Sequence, residues 1–194
     1  MFIKSNKMSK IIVLIVGVAG SGKTMLGHEL ARMIKNGVFI SKDFIQDAFT
    51  TTERAGETYE NIRGPTFELL INFAKLQLQH GKLPIIDAPF SRNHNLTDQY
   101  RDWITPFKNV AGELSATLMI IRCIPPNNDE LKSRLKTRGN EYDKQKLNNF
   151  EAFLQHEPIN FPISHDNVIE LVTDKSPETL ARSLIKKHFS KLYF

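Results

Sequence analysis

Short apolar runs alternate with helix-like stretches along most of the chain. The first run, residues 11–16, is continuously apolar, which is typical of a central strand that is covered on both faces. The same pattern predicts four further strands, at residues 38–41, 84–87, 116–122 and 168–172. Strands that alternate with helices in this way indicate a parallel sheet with helices on its faces, so we expect an α/β fold.

The intervening stretches repeat apolar residues at helical spacing. One helix is predicted at residues 24–35, with Asn36-Gly37 as its stop signal. A second is predicted at residues 65–79, with Pro65 in its first turn and Gly81 after its end. The remaining helices are predicted at residues 128–138, 144–154 and 177–189.

A glycine-rich segment lies between the first strand and the first helix. It matches the pattern G-x-x-x-x-G-K-[ST] and consists of Gly17, Val18, Ala19, Gly20, Ser21, Gly22, Lys23 and Thr24. The glycines let backbone N–H groups turn inward as an anion nest, and the following helix directs its positive dipole end at the phosphates. Lys23 is expected to reach the β- and γ-phosphates, and the Thr24 hydroxyl to ligate Mg²⁺. The segment therefore predicts a P-loop that binds a nucleoside triphosphate such as ATP with Mg²⁺.

Two carboxylates follow the second and third predicted strands, at the edge where ligands of open α/β sheets bind. Asp43 has the position of a base that accepts the proton of an acceptor hydroxyl. An Asp is equally favoured there as the cap of a helix starting at Phe44. Asp87 ends an apolar strand as a Walker B carboxylate does, which makes it a candidate for the Mg²⁺ site. The alternative for Asp87 is a turn-forming role before Ala88-Pro89.

Two arginines lie four residues apart on the predicted helix 128–138 and therefore share one face. On a mobile lid, Arg134 and Arg138 would stabilise the charge that develops during transfer and would exclude water from bound ATP. We expect this lid at about residues 134–148. The alternative is an ordinary solvated basic face, because Lys132 and Lys136 lie nearby.

Contacts with the acceptor are less well marked in the sequence. Arg92 follows the third strand in a predicted loop, and Arg63 lies at the entrance to the long helix, so both are candidates for acceptor binding. Cys123 is interpreted as a small core residue. The helical spacing of Trp103 with Tyr100 and Phe107 favours packing over base stacking.

The composition sets the class of protein and its surroundings. A chain of 194 residues is expected to form one domain over residues 10–194, after a flexible tail at residues 1–9 in which Met8 is an alternative start. The longest apolar run is far short of the roughly 20 residues that cross a bilayer. A single cysteine and no recognisable secretion signal favour the cytoplasm. The formal charge of +5 is spread along the chain, so a solvated basic surface is favoured over a nucleic-acid partner.

These residues together resemble P-loop kinases of the AAA-domain type, such as polynucleotide kinase, zeta toxins and chloramphenicol phosphotransferase. The matching segments are residues 17–24, Ser41-Lys42-Asp43, Ile85-Ile86-Asp87, and residues 134–139 followed by Asp143. The resemblance implies a three-layer P-loop NTPase fold with a five-stranded parallel sheet in the order 2-3-1-4-5 and a small helical lid. It also implies Asp43 as base, Arg134 and Arg138 as lid arginines, and an adenine pocket near residues 173–177.

One departure limits the choice of acceptor. Many of these kinases have an arginine three residues after the base that holds a phosphate of the acceptor, whereas this chain has Gln46. A nucleic-acid 5′ end is therefore not favoured. The sequence predicts an ATP-dependent kinase that phosphorylates a hydroxyl of an unidentified acceptor. The alternatives are an ATPase or switch module without an acceptor, and a toxin-like kinase that acts on a nucleotide sugar.

Overall fold

The computed structural model of the protein describes residues 10–49, 57–90, 103–163 and 165–190. Five strands form one parallel sheet in the order β2-β3-β1-β4-β5, which confirms the predicted sheet and its order. In chain order the strands are β1 (Lys10–Val16), β2 (Gly37–Ser41), β3 (Leu83–Asp87), β4 (Ala116–Ile124) and β5 (Val168–Val172).

Eight helices surround this sheet in the described part of the chain. They are α1 (Lys23–Met33), α2 (Lys42–Phe49), α3 (Glu57–Gln79), α4 (Thr105–Glu113), α5 (Asn128–Arg138), α6 (Glu141–Asn148), α7 (Phe150–His156) and α8 (Pro177–His188). None of them has both the length and the apolar character needed to cross a bilayer.

The central strand β1 explains the three layers. Its side chains point alternately to opposite faces, and every residue from Ile11 to Val16 is buried. One face packs on α1 and α8 through residues such as Leu30 and Leu184. The other packs on α3 and α4 through residues such as Phe67 and Phe107. A strand buried on both faces places the loop that follows it at the centre of the sheet edge.

A third, smaller cluster joins the P-loop to α5 and α7. Val18 of the loop is fully buried against Leu131 and Leu135 of α5 and against Phe150 and Phe153 around α7. The helices after β4 are therefore packed directly on the phosphate loop. The predicted lid boundary at residue 134 lies inside α5, and whether α5 to α7 move as a lid stays a prediction.

Two predicted helices differ from the observed ones. Helix α3 begins at Glu57, so Pro65 lies inside the helix and not in its first turn. Pro65 and Asn61 are both exposed, and water can satisfy the Asn61 carbonyl that loses its partner to the proline ring. The predicted helix at 144–154 is two helices, because the Asn149 side chain accepts a hydrogen bond from the Ala152 N–H and caps a new start at α7.

Smaller differences concern the ends of elements. Helix α1 stops at Met33, and the left-handed residue after it is Asn36, with a φ of 64°, and not Gly37. Strand β4 continues to Ile124, two residues beyond the predicted end at Arg122. The predicted tail at residues 1–9 lies outside the described residues.

Candidate active site

The P-loop connects β1 to α1 and depends on glycine at its first position. Gly17 has a φ of 141°, and a Cβ built there would lie 2.5 Å from the backbone oxygen of Cys123. No larger side chain fits without moving the main chain of β4. The loop therefore keeps the open backbone that an anion nest requires.

Two polar groups inside the loop fit a phosphate ligand. The Lys23 ammonium is buried and donates to the Val18 carbonyl at 2.8 Å, folded back over the loop. The Ser21 hydroxyl is fully buried and finds no hydrogen-bond partner among the described residues. A lysine held over a glycine-lined cradle matches the requirements of a bound triphosphate.

The predicted metal ligands meet at the end of neighbouring strands. The Thr24 hydroxyl donates to Asp87 Oδ2 at 2.6 Å, since β1 and β3 are paired and Asp87 lies opposite Ile15. Burial raises the pKa of Asp87; the Lys23 charge and the Thr24 hydrogen bond oppose this shift, and the charge of Asp43 adds to it. A hydroxyl and a carboxylate are hard oxygen donors, so this pair fits Mg²⁺.

Asp43 lies in the first turn of α2 and is exposed to the same cleft. The helix begins at Lys42 and not at Phe44, so Asp43 is not the cap of a helix that starts after it. The helix dipole favours the charged form of a carboxylate at this position. The charge of Asp43 also contributes to raising the pKa of Asp87.

Arg134 connects α5 to the residue that follows β5. Its Nη1 donates to the Thr173 hydroxyl at 2.8 Å, and its Nη2 donates to the Thr173 carbonyl at 2.6 Å. Its Nε donates to Glu130 at 2.8 Å. Thr173 directly follows β5 and would lie 3.5 Å from a Cβ at Gly22. Arg134 thus ties α5 to the loop after β5, next to the phosphate loop.

Arg138 faces the carboxylates. Its Nε and Nη2 donate to the two oxygens of Asp143 at 2.5 and 2.6 Å, in a bidentate pair whose carboxylate is buried. Burial opposes the charged form of Arg138, but the hydrogen bonds and charge of Asp143 outweigh it and raise the pKa. The charges of Asp43 and Asp87 act in the same direction. Arg138 is therefore held as a cation by Asp143, and the charges of Asp43 and Asp87 also stabilise its charged form.

One cleft of about 1360 Å³ is lined by Lys23, Thr24, Asp43, Arg134 and Arg138, whereas Asp87 is buried and reaches this cleft only through its hydrogen bond with Thr24. Arg63 is buried on α3 and is not among the described residues that line this cleft, while Arg92 lies outside the described residues. Their roles in acceptor binding stay predictions. Cys123 is buried behind the loop, where desolvation raises its pKa to about 12 despite the nearby Lys23 charge, in keeping with its interpretation as a core residue.

Aromatic packing holds the chain that follows β3. The Trp103 ring stacks on Phe67 at 4.2 Å between centroids, and Phe90 meets Phe107 edge-on at 6.2 Å. This confirms packing as the role of Trp103 and Phe107, whereas Tyr100 lies outside the described residues. Pro89, the residue before Phe90, lines the cleft.

Sequence reasoning missed a buried pair of polar side chains on the inner face of α2. The Lys42 ammonium donates to Gln46 Oε1, and both side chains are almost completely buried. The spacing of four residues was a visible signal, but a lysine is seldom buried and was not expected to support the site. Thr173 was missed as a partner of Arg134 because the two are distant in the chain.

Comparisons with known proteins agree with this fold. A family model described as an AAA domain matches residues 12–157. Similar solved structures include a putative kinase from Chloroflexus aurantiacus, with a TM-score of 0.66 at 16% identity over 93% of this chain and 98% of that chain. A sugar kinase from Janibacter sp. has a TM-score of 0.62 at 17% identity over 92% of this chain and 93% of that chain.

A third similar structure is the APS kinase of Mycobacterium tuberculosis in complex with AMPPNP and APS, with a TM-score of 0.63 at 15% identity over 92% of this chain and 96% of that chain. No curated protein matches the chain in sequence. At such identities the solved structures establish the fold alone. The family match covers most of the chain, and with the P-loop and the sheet order it leads to one conclusion: the chain belongs to the AAA domain family and has a P-loop NTPase fold.

Proposed function

We propose that the protein is an ATP-dependent kinase that transfers the γ-phosphoryl group to a hydroxyl of a small acceptor. The observation that carries this proposal is that Asp43 and Arg138 line one cleft with Lys23 and Thr24 of the P-loop, while the buried Asp87 accepts a hydrogen bond from Thr24. A module that only binds nucleotide needs the loop and the metal carboxylate. A second, exposed carboxylate beside them suits a kinase, which must also take a proton from an acceptor.

The proposed reaction assigns each of these groups a task. Asp43 accepts the proton of the acceptor hydroxyl while the oxygen of that hydroxyl forms a bond to the γ-phosphorus. The bond between that phosphorus and the β–γ bridging oxygen breaks, and ADP leaves with the electron pair. Lys23 and Arg138 stabilise the negative charge on the transferring group.

The residues around the phosphates also fit a metal. Thr24 and Asp87 would hold Mg²⁺, directly or through water, and the metal would neutralise part of the triphosphate charge when bound. The Asp87 carboxylate is already oriented by the Thr24 hydroxyl. The chain therefore supplies preorganised oxygen ligands at this position.

The two arginines of α5 have different roles in this proposal. Arg138 serves the transferring phosphoryl, while Arg134 keeps the loop at residues 173–177 against the P-loop, where the adenine base would lie. Both remain candidate catalytic residues of a lid formed by the helices after β4. Closure of such a lid would exclude water and suppress wasteful hydrolysis of ATP.

Small-molecule acceptors fit this proposal best. The similar structures include kinases named for a sugar, gluconate, shikimate and APS, and these names describe those proteins. We propose a cytoplasmic enzyme with a small acceptor, in which a nucleic-acid substrate is not favoured because Gln46 stands three residues after Asp43.

Labelled ATP provides the test. The protein is incubated with Mg²⁺, ATP labelled at the γ-phosphate and pools of hydroxyl-bearing sugars, nucleosides, aromatic alcohols and oligonucleotides. The proposal predicts label in an organic product of at least one pool. Label that appears only in inorganic phosphate would support an ATPase without an acceptor and would overturn the kinase proposal.

A further inference from the structure

We infer that the acceptor is an uncharged molecule whose reactive hydroxyl lies beside an apolar or aromatic ring, and that Phe44 is the residue that binds this ring. The inference rests on the proposed function, since it concerns the acceptor end of the same cleft. It depends on the side chains that surround Asp43, which no sequence motif assigned to substrate binding.

Phe44 is the most unusual side chain of this wall. It directly follows the proposed base Asp43 on α2, lines the same cleft and leaves 76% of its surface exposed. Large apolar side chains that are left exposed inside a concave site are a signature of ligand binding. An exposed aromatic ring one residue from the base offers a face on which the ring of an acceptor can stack.

Met25 is a second exposed apolar side chain in the lining of the cleft. It follows the metal-site residue Thr24 on α1, is 60% exposed and also lines the cleft. A thioether adapts well to ring surfaces, because it is flexible and polarizable. Two exposed apolar residues thus each follow a residue of the proposed reaction centre.

The polar group on this wall is neutral and held in place. Gln46 lines the cleft with its side chain almost fully buried, and the Lys42 ammonium donates to its carbonyl oxygen. A buried, oriented amide suits a neutral hydroxyl or carbonyl group of the acceptor. The amide itself carries no charge, and the Lys42 ammonium beside it is buried and donates to its carbonyl oxygen.

The two exposed charged side chains of α2 are both negative, whereas Lys42 is buried. Asp43 and Asp47 are both exposed on this helix and both line the cleft. Two carboxylates beside the acceptor repel an anion, and like charges at close range disfavour its binding. An acceptor without charge near its hydroxyl avoids this penalty.

The test uses four groups of acceptors with the full-length protein, Mg²⁺ and γ-labelled ATP. The neutral ring-bearing group contains adenosine, phenyl β-glucoside and 4-hydroxybenzyl alcohol, and the neutral group without an aromatic ring contains glucose and glycerol. The anionic groups contain adenosine 5′-monophosphate and phenyl β-glucuronide with a ring, and gluconate and glycerol phosphate without one. We expect phosphorylation mainly in the neutral ring-bearing group.

Variants of Phe44 connect this preference to the structure. Phe44→Ala is expected to raise the KM for the best acceptor about tenfold or more, as loss of a stacking ring does, and to leave the KM for ATP unchanged. Phe44→Tyr keeps a ring and is expected to restore the KM. Phe49→Ala is the matched control, because Phe49 is 58% exposed on the same helix and is not among the described residues of the cleft.

The outcomes separate the two proposals. A preference for the anionic groups, or Phe44→Ala behaving like Phe49→Ala, would overturn the inference and leave the kinase proposal standing. Release of phosphate alone in all four groups would contradict the kinase proposal and remove the inference with it. Because Phe44 is exposed, its replacement is not expected to impair folding, which thermal denaturation of each variant will verify.

Discussion

At the scale of single residues, the hydrogen bond between Thr24 and Asp87 is the contact on which the proposed Mg²⁺ site rests. The carboxylate is buried, yet the Thr24 hydroxyl and the Lys23 charge favour its ionised form. Burial nevertheless raises its pKa. The chain thus keeps a carboxylate in a desolvated position, which is costly for stability and useful for binding a cation.

Asp87→Asn tests this role. The amide keeps the shape but loses the charge, so we expect the Mg²⁺ concentration needed for half-maximal activity to rise by about 10- to 100-fold. The melting temperature should be unchanged or higher, because an ionised group is no longer buried. A magnesium titration of the initial rate measures the effect, and an unaltered magnesium requirement would argue against Asp87 as part of the metal site.

Gly17 and Gly112 form a matched pair for the P-loop. Alanine at Gly17 would place its Cβ 2.5 Å from the Cys123 carbonyl at a left-handed φ, so Gly17→Ala should lose ATP affinity and stability. Gly112 lies in α4 with nothing within 4 Å of an added Cβ, so Gly112→Ala should stabilise by about 0.5–1 kcal/mol. Chemical denaturation measures the stability of the two variants, and nucleotide titration measures their ATP affinity. Equal stability and equal ATP affinity of the two variants would contradict the prediction.

Cys123 gives a prediction about pH. Its pKa is raised from 9.0 to about 12 by burial, so the native thiol stays protonated where an exposed thiol ionises. Alkylation by iodoacetamide should therefore stay slow from pH 7 to about pH 9, and become fast in urea. Because the folded pKa is the higher one, the contribution of the thiol to stability is complete below about pH 9 and is lost between pH 9 and 12. Rapid native labelling at pH 8 would contradict the buried placement.

At the scale of elements, the hydrophobic pattern predicted the strands well and the helix ends less well. The strands are short apolar runs whose burial leaves few alternatives, as in β1 and β3. The start of α3 was missed because Pro65 reads as a first-turn residue, although a proline on an exposed face is tolerated inside a helix. The break between α6 and α7 depends on the side chain of Asn149 acting as a cap, which is a local contact that periodicity does not register.

The α5–α6 connection yields a further prediction about Arg138. Arg138→Lys keeps the charge but loses the bidentate pair with Asp143, so the cation is no longer held toward the carboxylates. We expect kcat to fall by about 100-fold, which is less than the roughly 10³- to 10⁵-fold contribution of an arginine that stabilises phosphoryl transfer, because lysine keeps the charge; the KM for ATP should change little.

The control for this variant is Arg182→Lys. Arg182 makes a similar pair with Glu178 on the exposed face of α8 and is not among the described residues of the cleft. Steady-state kinetics of both variants should show a lower kcat for Arg138→Lys and an unchanged kcat for Arg182→Lys. Equal kinetics would assign the Arg138–Asp143 pair a structural role.

At the scale of the whole molecule, the candidate site is assembled from segments that are far apart in the chain. The P-loop was recognisable alone, because its spacing carries its own mechanism. Asp43 and Asp87 were found because both follow strands that end at one edge. The pairing of Arg134 with Thr173 was not predictable, since it depends on the strand order that brings β5 next to β4.

The proposed reaction requires Asp43 to remove a proton from the acceptor hydroxyl, and a pair of α2 variants examines this step. Asp43→Asn and Asp47→Asn lie one turn apart on α2, and both original residues are exposed in the cleft. Single-turnover transfer from γ-labelled ATP to the best acceptor is measured together with ATP affinity. We expect Asp43→Asn to bind ATP as the unmodified protein does but to transfer the phosphoryl group about 100-fold or more slowly. Asp47→Asn should transfer it at the normal rate. Transfer by Asp43→Asn at the unmodified rate would contradict this role of Asp43.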